Sequence, residues 1–133
     1  MIDRRQVSSG SPFEAEIGFS RAVRAGNLIF VAGTAPIAAG GGTAAKGNVY
    51  GQTRRCLEIA VAAVEKAGGL AGDIVRTRIM MVDIAQWREA ARAHGEYFRD
   101  IRPACTFVQV SRFIDPDWLV EIEADACVLE LLE

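Results

Sequence analysis

The sequence predicts an α+β protein, a two-layer sandwich in which a mixed β-sheet carries two helices on one face. Three observations lead there. The chain alternates strand-like and helix-like stretches in the order strands, helix, strand, helix, two strands. Each helix-like stretch carries one apolar stripe, so each buries against one neighbouring layer. The 133 residues suit one domain spanning residues 1–133. A chain of that size buries about two-thirds of its unfolded surface, enough for a core without metal or disulfide.

Residues 1–16 read as an irregular lead-in with room for one short strand. In RAVRAGNLIFVAGTA, residues 21–35, the Ala-Gly-Asn triplet marks a turn between two short strands, and LIFVAG is a compact apolar strand. PIAAGGGTAAKG, residues 36–47, is a Gly/Ala loop. It lacks GxxxxGK[ST] and GxGxxG, and Lys46 is not followed by Ser or Thr, so it is read as a plain loop and not a phosphate cradle. A helix is predicted over 49–67, because Thr53, Cys56, Leu57, Ala60, Val64 and Ala67 recur at three- and four-residue steps. Gly68-Gly69 ends it, glycine being at ease in the left-handed conformation that closes a helix.

IVRTRIMMVD, residues 74–83, alternates as a strand. Val75, Thr77, Ile79 and Met81 would share one face, and Arg76, Arg78, Met80 and Val82 the other. A second helix over 85–99 would bury Trp87, Ala90, Ala91, His94, Tyr97 and Phe98, and Pro103 ends any helical tendency beyond it. Residues 105–112 and 119–129 read as two strands joined by the Asp115-Pro116-Asp117 turn. Paired as a hairpin, they would bring Cys105 and Glu121 to one pocket. No internal repeat and no interdomain linker is visible.

Net charge is −2, from 15 basic and 17 acidic residues mixed along the chain, which gives no electrostatic drive toward nucleic acid. The three cysteines lie far apart, form no CxxC pair and are odd in number, as in a cytoplasmic chain with free thiols. His94 is the single histidine and makes no metal cluster alone. The polar start, MIDRRQVSSGSPFEAEIG, has no apolar core of a signal peptide. No apolar run approaches the roughly 18 residues of a membrane span, so no membrane partner is expected.

The stretch RPACTFVQVSRFIDPDWLVEIEADA, residues 102–126, resembles the C-terminal signature of the RidA/YjgF family, reactive intermediate deaminase A and relatives. GFSRAVRAGNLIFVAGTAP resembles the opening segment of that family, YGQTRRCLEIAVAAVEKAG its first helix, and GDIVRTRIMMVDI its next strand. The likeness runs from about Gly18 to Val128. It implies a chorismate mutase-like homotrimer whose sheets surround a barrel-like centre, with ligand clefts at the subunit interfaces. It also implies hydrolysis of reactive enamine or imine acids to keto acids and ammonia, without metal or organic cofactor. In the family, the Arg after Pro-Ala grips the substrate carboxylate and a Glu in the VEIEA phrase positions water. Here the Glu matches Glu121, the main-chain cleft wall matches Gly33 and Thr34, and the family's Tyr is Phe19. The Asn common on the second helix is Ala91, and the clamp Arg is Cys105.

The candidate catalytic residues are therefore Glu121 and Cys105, and the candidate substrate-binding residues are Phe19, Gly33, Thr34 and Arg102. Glu121, Glu123 and Asp125 stand at two-residue spacing, so in a strand all three face one side, about 6–7 Å apart. They read either as a carboxylate-rich cleft wall, with Glu121 orienting water, or as the solvated side of a terminal strand. Cys105 reads either as a thiol nucleophile or as a small space-filling residue. Its presence removes a charged hydrogen bond of about 1.5–3 kcal/mol to a ligand carboxylate. Arg102 is the first substitute clamp; Arg112 and Arg21 rank behind it as clamps and read otherwise as surface or interface charge. His94, Trp87 and Trp118 read as packing residues, and Cys56 and Cys127 as inert thiols. The function expected is small-molecule binding in intersubunit clefts, either as an enamine/imine deaminase with an altered substrate or as a non-catalytic metabolite-binding or protein-interaction module. The ligand expected is a keto acid, imine or related molecule.

Overall fold

A computed structural model of the chain describes residues 4–129. Its elements follow the order β1 (Arg4–Val7), β2 (Ala22–Ala25), β3 (Leu28–Thr34), α1 (Val49–Lys66), β4 (Ile74–Met81), α2 (Trp87–Phe98), β5 (Ala104–Gln109) and β6 (Val120–Cys127). A short helical turn, Glu14–Gly18, lies between β1 and β2. The strands form one six-stranded sheet in the order β1-β2-β3-β6-β4-β5. Only β4 and β5 run parallel, and α2 supplies the crossover that a parallel pair requires. The sheet is thus mixed, as expected.

The strands at 105–112 and 119–129 do not pair. The expectation of a hairpin is corrected by the sheet order: β6 lies between β3 and β4, and β5 is an edge strand on the far side of β4. The short turn at 115–117 is one part of a longer connection over β4. The reason lies in side-chain alternation. β6 places Val120, Ile122, Ala124 and Ala126 in the core and leaves the residues between them half-buried, a pattern suited to a central strand. β5 is mostly exposed and has only Phe107 packed against the core.

Both helices lie on the same face. Cys56, Leu57, Ala60 and Val64 of α1 and Ala90 and Phe98 of α2 share one core with Ile29, Val31, Ile79, Met81, Val120 and Ile122 of the sheet. Asn48 caps α1 by accepting from the amide of Gly51 at 3.0 Å. At the other end Gly68 takes a φ of 92°, and the Ala67 carbonyl accepts from Arg5 and Arg24, each at 2.9 Å. A side chain at Gly68 would stand 2.7 Å from the Arg24 guanidinium, so glycine is required there on both counts.

β4 departs from simple alternation. A bulge between Ile74 and Arg76 turns Val75 outward, so Ile74 joins Thr77, Ile79 and Met81 in the core in its place. In α2 the core is reached by Ala90, Ala93 and Phe98, while Trp87 stays 40% exposed, edge-on to Phe107. The open sheet face carries two ion pairs, Arg78–Glu123 at 2.7 Å and Arg76–Asp125 at 3.7 Å. It also leaves Leu28 and Phe30 each 45% exposed. Among the described residues no helix is long and apolar enough to cross a membrane.

Candidate functional site

The site grows from an irregularity in β3. Val31 pairs with Ala124 and Thr34 with Ile122, so three steps on β3 face two on β6. The extra residue makes a bulge, which re-aims the backbone beside Glu121. Gly33 is the consequence: a Cβ there would stand 3.3 Å from Oε1 of Glu121. A side chain at position 33 would therefore press on the carboxylate and shift it.

Glu121 follows the first residue of β6 and opens into a cleft of about 660 Å³. The walls are the segment from Val7 to Phe19, the end of β3, the loop over residues 35–42 and one side of α1. Phe19, Gly33, Thr34 and Glu121 line this cleft together. Among the described residues the Glu121 carboxylate makes no hydrogen bond and no ion pair. Burial pushes its pKa up; the Arg21 charge pulls it back and Glu123 pushes it further up. It is a half-buried carboxylate held ready to carry a proton.

Arg21 is the residue that sequence reasoning ranked too low. Set behind Arg102 as a clamp and read otherwise as surface or interface charge, it is 8% exposed and lines the cleft. Its Nη1 donates to the Gly33 carbonyl at 2.6 Å and to Oγ1 of Thr34 at 3.0 Å. Thr34 Oγ1 in turn donates to the Ala32 carbonyl at 2.7 Å. The guanidinium carbon lies 5.2 Å from the Phe19 ring centre, within cation–π range. One side chain thus fixes three parts of the cleft wall, Phe19, Gly33 and Thr34. The only sign of it in the sequence is a charged residue two places after an aromatic at the start of an apolar strand, a weak signal.

Cys105 and Arg102 lie elsewhere in the protomer. Thr77, which pairs with Cys105, and Met80, which pairs with Glu121, are three residues apart on β4. An odd step reverses the face, so Cys105 and Glu121 are on opposite faces of the sheet. The single-protomer pocket that a hairpin would have made from them is therefore corrected. Cys105 is exposed on the edge strand. Arg102 is exposed in the turn after α2 with a φ of 56°, and its Nε donates to the Arg99 carbonyl at 3.1 Å.

The remaining candidates pack. His94 Nε2 lies 2.8 Å from Oγ1 of Thr77 and its ring stands against Phe98, with burial pushing its pKa down. Cys56 is buried in the core, its thiol pKa pushed up by burial. Glu123 and Asp125 are the partners of Arg78 and Arg76. Trp118 is buried at the cleft, and its Nε1 has no partner among the described residues.

The raised pKa of Glu121 has a measurable consequence. The folded state binds this proton more tightly than the unfolded chain, so the contribution to stability is full at acid pH and is lost as pH rises through the folded value. Glu121→Gln is expected to raise Tm at neutral pH, with the gain shrinking toward acid pH. Thermal melts of both forms from acid to neutral pH check this. A gain that grows on acidification would contradict it.

The family described as Endoribonuclease L-PSP matches residues 10–128. Rv2704 from Mycobacterium tuberculosis, a member of the YjgF/YER057c/UK114 family, superposes with a TM-score of 0.86 and 44% identity, covering 95% of this chain and 100% of that one. The 3-aminoacrylate deaminase RutC of Acinetobacter baylyi is 33% identical over 107 residues, 80% of this chain and 84% of the relative. E. coli TdcF, solved with bound serine, gives a TM-score of 0.76 and 27% identity over 92% of this chain and 93% of that one. By sequence and by fold, the chain belongs to the RidA/YjgF family.

Proposed function

We propose that the cleft is the site of a cofactor-free enamine/imine deaminase whose substrate differs from that of the Arg-bearing relatives. The observation that carries this reading is Glu121: a half-buried, unpaired carboxylate with a raised pKa, facing a cleft beside the bare main chain of Gly33. Hydrolysis of an imine needs one group that takes a proton from water as oxygen bonds to carbon. It then needs a proton returned to nitrogen as ammonia leaves. A carboxylate whose pKa burial has raised does both in turn. Main-chain amides near Gly33 polarise the substrate as charge develops. Support also comes from relatives, since RutC is a 3-aminoacrylate deaminase and TdcF is seen with bound serine.

In this reading the protein is a homotrimer and the cleft is completed at a subunit interface. The open sheet face, with Leu28 and Phe30 exposed, is an apolar surface that a neighbouring subunit would cover. The exposed edge strand β5 would bring Cys105 of a neighbouring subunit to the cleft that holds Glu121. A second reading, a metabolite-binding module without turnover, is favoured by one observation: Cys105 stands where the family signature has Arg. The charge of −2 and the distance of His94 from the cleft lining argue against an RNA-cleaving role, although the family's description names one.

Two outcomes are expected. Light scattering gives a mass about three times 14.4 kDa at micromolar concentration; a stable monomer would contradict the intersubunit cleft. Ammonia release from imino acids generated in situ is lowered about 10²- to 10⁴-fold in Glu121→Gln, the usual span for removing a proton-transferring group. Equal turnover in both forms would remove Glu121 from the mechanism, and no turnover in either would leave the binding module.

A further inference from the structure

We infer that Arg21 is the anion anchor of this cleft, holding a ligand carboxylate in the absence of the Arg that Cys105 replaces. The inference rests on the proposed function and names the anchoring residue of the same site.

The geometry is that of an unsatisfied, preorganised cation. Arg21 is 8% exposed, yet no carboxylate lies within ion-pair distance of it among the described residues. The six ion pairs found among the described residues all involve other side chains, largely at the surface. A buried guanidinium without a counter-ion is costly to keep. The cost is visible in the pKa, which burial pushes down while Glu14 and Glu121 pull it back up.

Only half of the guanidinium is engaged. Nη1 carries the bonds to Gly33 and Thr34, with the Ala32 carbonyl a further 3.5 Å contact. Nε and Nη2 have no partner among the described residues. They are also not shut away from solvent, since Trp118 Nε1 is the one buried, partnerless side-chain polar atom found among those residues. Arg21 is itself one of the residues that line the cleft. A planar fork with two free donor directions suits a carboxylate. Its other half is locked by Gly33, Thr34 and the Phe19 ring, so little entropy is lost on binding.

Glu121 does not forbid this. Burial raises the pKa of this carboxyl group, which eases its protonation when an anion enters beside it. The cleft lining is mixed: Phe13, Ile17, Phe19 and Trp118 are apolar, while Arg55, Glu58 and Lys66 also line it.

Calorimetry on the wild-type protein and Arg21→Gln, with pyruvate and with its neutral ester methyl pyruvate, tests the inference. The wild type is expected to bind pyruvate at least tenfold more tightly than the ester, and Arg21→Gln to lose that preference. Unchanged pyruvate affinity in a folded Arg21→Gln would overturn the anchor and leave the deaminase reading standing. A wild type that binds neither compound would overturn both. Because Arg21 also holds the cleft wall, its variant has a second readout that needs no mutation. The Arg21 Nε–H resonance of the wild type is expected to shift on adding pyruvate and not on adding methyl pyruvate. No shift with pyruvate would overturn the anchor whether or not Arg21→Gln folds.

Discussion

The site depends on one local constraint: the β3 bulge brings Gly33 so close to Glu121 that a Cβ at position 33 would stand 3.3 Å from the carboxylate and push it aside. Without the extra residue, β3 and β6 would continue in register and Gly33 would not stand over the carboxylate. The bulge is held from behind by Arg21, which binds the Gly33 carbonyl and the Thr34 hydroxyl. A buried charge, an irregular strand and a glycine are each unfavourable in a regular sheet. Together they satisfy one another and make a polar notch in an otherwise apolar wall.

The two faces of the sheet divide the work. The helix-covered face is filled by Ile79, Val120, Ile122 and their neighbours, all fully buried, and fixes β6 in the centre of the sheet. The other face of the same strand carries Glu121, Glu123 and Asp125. Two of these are matched by Arg78 and Arg76, and Glu121 alone has no ion-pair partner among the described residues. Exposed pairs of this kind contribute about 0–1 kcal/mol each, so they do not explain why the strand forms. They do remove Glu123 and Asp125 as candidates for chemistry, which leaves Glu121 as the carboxylate with a chemical vacancy.

Much of this was legible in the sequence because it rests on local pattern. The three- and four-residue steps from Thr53 to Ala67 gave α1, and the Ala-Gly-Asn turn gave the junction of β2 and β3. Phe19, Gly33, Thr34 and Glu121 were found only through resemblance, since nothing in their spacing brings together residues a hundred positions apart. What failed was long-range pairing. Two consecutive strands with a turn between them look like a hairpin, but the insertion of β6 between β3 and β4 is decided by which strand can bury one whole face, and the exposed pattern of β5 could not be known beforehand. Val75 was misassigned because a bulge shifts the parity of every residue before it. Arg21 was ranked behind Arg102 for a different reason: a buried arginine without a carboxylate partner contradicts the usual expectation for that residue, and such contradictions gather at functional sites.

The central claim is that a small ligand binds in the cleft that Gly33 and the Glu121 carboxyl group line together. A crystal structure of the protein grown with 2-oxobutanoate tests it most directly. The account predicts ligand density in this cleft, in contact with the Glu121 carboxyl group and the main chain at Gly33. Density confined to other surfaces, with the cleft filled only by water at saturating ligand, would contradict it.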